Sequence, residues 1–180
     1  NSSLVADTDF AKHVGTIYME LPANNQNLID EFLANDECDE MLVIKMLRDM
    51  MWTGWPDKAM LDFFITVWEV NQNLKPEDRL RIVLVDMERP WKKIKKRENW
   101  RKYDVDRDKY MADNIINDRK SHSKDKRNGL FLVGVGHTAL NFNISYFGDI
   151  SQKTAGWHLQ QKLGRENIYA IMQHRCVMTN

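Results

Sequence analysis

Glu20, Asp86 and His137 are the side chains best suited to chemistry, because each lies at or near the end of a short apolar run. A carboxylate and an imidazole within reach of one water act as general base and orienter. The same residue types also bind divalent metals, so His137 and Glu20 are equally candidate ligands for such a cation. A single acid at the end of a strand more often caps the helix that follows, but three such residues in one chain favour a site. His137 sits in Gly129-Leu-Phe-Leu-Val-Gly-Val-Gly-His-Thr138. There Gly134 and Gly136 allow a tight turn or close backbone approach to a ligand. Arg107, Met111 and Asn114 follow at i, i+4 and i+7, the spacing of one helical face. An arginine on that face pairs with Glu20 or Asp86, or clamps an anionic substrate.

These side chains converge only if the runs carrying them are parallel neighbours, because function in α/β sheets gathers beyond the carboxyl ends of the strands. The pattern along the chain supports that arrangement. Residues 14–20 and 80–85 read as strands that end on Glu20 and Asp86, and residues 129–137 as a strand leading to His137. Apolar spacing predicts helices over residues 26–34 and 39–50, and a third helix capped by Asp57. A helix starts at Asp104 or Asp106 and runs to about residue 122. Another covers residues 154–163 and ends at Gly164. Residues 141–149 read as extended or as a hairpin, and residues 167–172 as a last strand. The order β-α-α-α-β-α-β-α-β predicts a single α/β domain, with a largely parallel sheet and helices packed on both faces.

The 180 residues suffice for one sizeable core, and 43% of them are apolar. Lysine plus arginine equals aspartate plus glutamate at 26 each, so net charge draws the chain toward neither nucleic acid nor membrane. No run reaches the roughly 18 apolar residues that a membrane span needs. The start, Asn1-Ser2-Ser3, has no signal-peptide pattern, which leaves a secreted or periplasmic location (after removal of a leader) and a cytoplasmic one both open. Cys38 and Cys176 are too few for a disulfide framework and lack metal-site spacing. Residues 91–103 hold seven basic residues and three aromatics. Such a stretch can track a phosphate backbone while its rings stack on bases. Balanced charge and the lack of a recognisable nucleic-acid module instead favour a loop or insertion over residues 88–103, beside the rim.

Several blocks resemble the erythromycin-esterase-like proteins and the wider superfamily that includes the ChaN-like haem-uptake and TIKI/TraB-like groups. Thr16-Ile-Tyr-Met-Glu-Leu-Pro22 and Asn27-Leu-Ile-Asp-Glu-Phe-Leu33 are similar to that family's strand-plus-acid and following helix. Trp55-Pro56 with Phe64-Ile-Thr-Val-Trp-Glu-Val-Asn71 resembles its tryptophan-centred helix, and Arg81-Ile-Val-Leu-Val-Asp-Met87 its next strand. Arg107-Asp-Lys-Tyr-Met-Ala-Asp-Asn-Ile115 is similar to its arginine-aspartate helix. Gly134-Val-Gly-His-Thr138 is similar to its glycine-histidine motif. Ala155-Gly-Trp-His-Leu159 with Lys162-Leu-Gly164 resembles the closing helix.

The resemblance implies Glu20, Arg107 and His137 as active-site residues, with Asp86 and Asn114 in support. His158 is a further candidate, in a helix able to face the same rim. The family carries a Gly-Glu-x-x-His motif on a strand upstream of the one holding Glu20, and residues 1–14 contain none. The other half of such a site is thus expected before Asn1. The implied activity is hydrolysis of an ester or related bond in a small molecule or peptide by an activated water, in some branches with a divalent metal. The alternative is a non-catalytic protein of the ChaN-like type, whose rim holds haem, iron or another small ligand.

Overall fold

The computed structural model describes residues 2–7, 9–50, 57–88, 90, 93–96, 99, 106–140, 144–146 and 150–171. Most of the basic and aromatic stretch over residues 91–103 lies outside these residues, as do Trp55, Pro56 and Met172.

Strand β1 (Val14–Pro22) is flanked by β2 (Arg81–Asp86) and β3 (Asn128–Leu132), both parallel to it, in the order β2-β1-β3. Alternation along the pleat sends successive side chains to opposite faces, and both faces are buried. On one face Ile17, Met19, Leu21, Ile82 and Leu84 meet the five helices α1 (Ser2–Val5), α2 (Phe10–His13), α3 (Gln26–Ala34), α4 (Glu40–Arg48) and α5 (Lys58–Gln72). On the other, Tyr18, Val83, Val85 and Phe131 meet α6 (Arg107–Ser121) and α7 (Ala155–Leu163). The α/β architecture expected from the sequence, with a parallel sheet and helices on both faces, is therefore present. A separate antiparallel pair, β4 (Ile144–Tyr146) and β5 (Ile150–Gln152), stands where an extended or hairpin segment was expected.

Local chemistry explains most helix limits. Asp57 starts α5 by accepting the Met60 N–H at 2.8 Å, and Asp39 starts α4 by accepting that of Met41 at 3.0 Å. Gly164 ends α7 at φ 88°. One expectation is corrected. Residues 167–172 form no paired strand among the described residues: Arg165–Asn167 is a 3-10 turn, and Ile168 packs on the second core cluster. Tyr169 and Ile171 face solvent. A short apolar run satisfies strand periodicity without any edge to pair with. Helices α1 and α2 have four residues each, too few for a periodic signal.

The topology sets where a site can form. β1 is followed by helices on one face, whereas β2 and β3 are followed by α6 and α7 on the other. The chain therefore parts on either side of the carboxyl end of β1, and a crevice opens at such a point. Glu20 stands there.

Candidate functional site

Glu20 belongs to the last turn of the pleat in β1, Asp86 ends β2, Arg107 begins α6, and His137 lies in a 3-10 turn (Val135–His137) just after β3. The four meet. The guanidinium of Arg107 grips Asp86 through two bonds, Nε to Oδ1 at 2.7 Å and Nη2 to Oδ2 at 2.8 Å, and its Nη2 also donates to Glu20 Oε1 at 2.5 Å. A fork of this kind fixes orientation as well as charge. The other oxygen of Glu20 accepts the Gly134 N–H at 2.7 Å. His137 Nε2 stands 3.3 Å from Glu20 Oε1 and 3.5 Å from Arg107 Nη1. Gly134 adopts an ordinary φ of −57°, so closeness rather than a left-handed turn explains this glycine. A Cβ there would come within 3.3 Å of Glu20 Oε2.

Asp108 completes the group, and spacing could not reveal it. It directly follows Arg107, and adjacent helix positions do not share a face. It is nonetheless buried, and its Oδ1 accepts from His137 Nδ1 at 2.7 Å and from the Ala155 N–H at 2.7 Å. Ala155 opens α7, whose N-terminal end favours a carboxylate. Thr154 caps that end, accepting the Trp157 N–H at 3.0 Å and donating to the Ala139 carbonyl. A buried acid near a helix start is one signal that could have drawn attention to Asp108. In the sequence, however, it is indistinguishable from the neighbouring Asp104 and Asp106.

Asn114 does not reach the ion cluster. It donates to the Val85 carbonyl at 3.0 Å and so steadies the end of β2 beside Asp86. His158 joins none of the cluster's hydrogen bonds: among the described residues it has none to Glu20, Asp86, Arg107 or His137. Its ring instead meets Trp157 edge-on at 5.0 Å. His158 follows Ala155 by one turn on α7, so the Asp108 that accepts the Ala155 N–H also acts on His158 through its charge, without a hydrogen bond between them.

The electrostatics follow from burial and partners. Burial by itself pushes the Glu20 carboxyl up, but His137, Arg107 and the Gly134 N–H outweigh it and bring the pKa down to about 2. Burial likewise works against a charged His137, yet Asp108 and Glu20 raise it to about 9. Arg107 is held above its ordinary value, because Asp86 and Glu20 more than offset the loss of water. At neutral pH the cluster therefore contains an imidazolium and a guanidinium set among carboxylates.

That arrangement bears on the expected metal. A cation on His137 and Glu20 would have to displace Arg107, whose guanidinium already bridges Glu20 and Asp86. An imidazolium also offers no lone pair to a metal. Among the described residues no group of three or more His, Cys, Asp or Glu side chains is arranged to hold an ion. As they stand, these residues do not fit a divalent metal.

Comparison with protein-family models, with curated proteins and with solved structures finds no match for this chain. Among the described residues no helix is long and apolar enough to cross a membrane.

Proposed function

We propose that this rim is a hydrolytic site of the erythromycin-esterase-like kind, cleaving an ester or related bond of a small molecule or peptide. The observation that carries the reading is the convergence of two cationic nitrogens, Arg107 Nη1 and His137 Nε2, 3.5 Å apart at the carboxyl end of a parallel sheet. Both cations already serve one anionic oxygen, Glu20 Oε1, and in this reading a substrate oxygen on which negative charge develops takes its place. The order of the resembling sequence blocks supports the same reading.

In this scheme water adds to the acyl carbon, and Arg107 with His137 stabilises the oxyanion. As the bond to the leaving oxygen breaks, His137 Nε2 gives that oxygen its proton. The proton lost by the added water then returns to the neutral imidazole, so His137 ends as it began. Asp108 is a positioning residue that fixes the ring through Nδ1 and keeps it charged. Glu20 and Asp86 hold the guanidinium in place.

The test is a panel of ester substrates with the wild type and His137→Gln, each with and without a chelator. The expected result is turnover that falls about 100- to 10,000-fold in the variant, the usual contribution of a proton-transferring side chain. Chelation should leave it unchanged. Turnover equal in both proteins overturns the site, and turnover that requires an added divalent cation overturns the role given to Arg107. Binding of haem or iron without turnover would favour the ligand-holding alternative.

A further inference from the structure

Among the described residues β2 is an edge strand, and its sequence makes that hazardous. Leu80-Arg-Ile-Val-Leu-Val85 is β-branched and apolar, carries one charge and has no proline or glycine. Six-residue segments of this composition pair readily with copies of themselves when an edge is open. A groove of about 730 Å³ gives access to the edge, lined by Arg79 and Leu80 just before β2, by residues 81–84 of the strand, by Asp30 on α3, and by Tyr110 and Asn114 on α6.

Two side-chain amides take up four of the backbone groups on that side. Gln26, at the start of α3, donates Nε2 to the Ile82 carbonyl at 2.9 Å and accepts the Leu84 N–H through Oε1 at 2.8 Å. A residue of a parallel neighbouring strand would make the same two bonds, reaching positions either side of Val83. Asn71, on α5, donates Nδ2 to the Leu80 carbonyl at 2.9 Å and accepts the Leu80 N–H through Oδ1 at 2.7 Å. That doubled exchange is what a hydrogen-bonded residue of an antiparallel strand would make. Asn71 is 1% exposed, so its amide is committed to the strand rather than shared with solvent.

We propose that Gln26 and Asn71 together stand in for a fourth strand and close the β2 edge against a second copy of this chain. Without them the edge pairs with the β2 edge of another molecule. Because the two amides come from different helices, each guards its own part of the strand.

The experiment compares wild type, Gln26→Ala and Gln26→Ala/Asn71→Ala by sedimentation over a range of protein concentration. It also measures amide exchange, and binding of a labelled peptide that copies residues 80–86. The wild type should stay monomeric and ignore the peptide. The double variant should associate with rising concentration and bind the peptide, and the same peptide carrying V83P should not bind. In the single variant, exchange at the Leu84 amide should quicken about tenfold while Leu80 is unchanged. A folded double variant that remains monomeric and ignores the peptide overturns the proposal. If the double variant does not fold, Gln26→Ala decides: unaltered exchange at Leu84 overturns the proposal, and the selective increase supports it.

Discussion

His137 is held between Asp108 at Nδ1, 2.7 Å away, and Glu20 at Nε2, 3.3 Å away, and this makes its charge a function of its neighbours. Its pKa near 9 keeps it protonated across the neutral range, as the proposed role of proton donor requires. Hydrolysis should therefore be level through neutrality and decline as pH rises through about 9, where the proton is lost. A rate that climbs through the same range would assign His137 the role of base and overturn the scheme. Asp108→Asn removes one of the two charges that raise this pKa. The alkaline limb of the pH–rate profile should then move to lower pH, by about one unit or more. A purely structural Asp108 would lower activity without moving the limb. His137 was legible in the sequence because glycines and an apolar run flagged it. Asp108 was not, because nothing in a list of residues shows which of several aspartates is buried.

At the scale of elements, α6 and α7 create the site by meeting at its edge. Asp106 precedes α6 at φ 54°, a left-handed conformation that aspartate tolerates better than most residues. This turn brings Arg107 and Asp108 to the head of the helix together. Asp106→Gly should relieve the strain and raise unfolding stability by up to about 1 kcal/mol, whereas Asp106→Val should lower it by about 1–2 kcal/mol, both read from denaturant midpoints. On the other helix, a Cβ at Gly156 would fall 2.7 Å from the Thr138 carbonyl oxygen and 3.0 Å from that of Ala139. Backbone cannot yield as a flexible side chain does, so Gly156→Ala should push α7 away. The expected cost is about 1–3 kcal/mol, with a matching loss of the Ala155 N–H bond to Asp108 and of activity. Chemical denaturation and an ester assay check both parts, and an unchanged midpoint would show that α7 shifts freely.

The whole molecule carries its ion cluster as a pH-dependent tie between the ends of all three parallel strands and the two helices of one face. His137 rises from 6.5 to about 9 on folding, so its stabilisation is complete below about 6.5 and lost as pH climbs through about 9. Glu20 falls from 4.5 to about 2, so its share is complete above about 4.5 and lost as pH drops through about 2. The two shifts share the His137–Glu20 contact and so cannot be summed; together they are worth on the order of 3 kcal/mol. Urea midpoints should thus be highest between about pH 4.5 and 6.5 and fall on either side. In His137→Gln the alkaline fall should flatten. A wild-type midpoint unchanged from pH 6 to pH 10 would contradict the charged state assigned to His137.

Much of the fold follows from the chain read alone. Residues with apolar neighbours at helical spacing became α3, α4 and α5, and Asp57 before an apolar run became the cap of α5, because these features depend on contacts a few residues apart. Glu20, Asp86, Arg107 and His137 were marked by type and by place at the ends of elements. The tertiary structure decided what these residues do to one another. It placed Arg107 between two carboxylates where a metal was expected and left His158 outside the cluster's hydrogen bonds. It left residues 167–171 without a strand partner among the described residues and set Gln26 and Asn71 against the edge of β2. Each of these outcomes rests on distances between residues far apart in the chain, and such distances exist only once parallel strands and packed helices have brought buried charges and amides together.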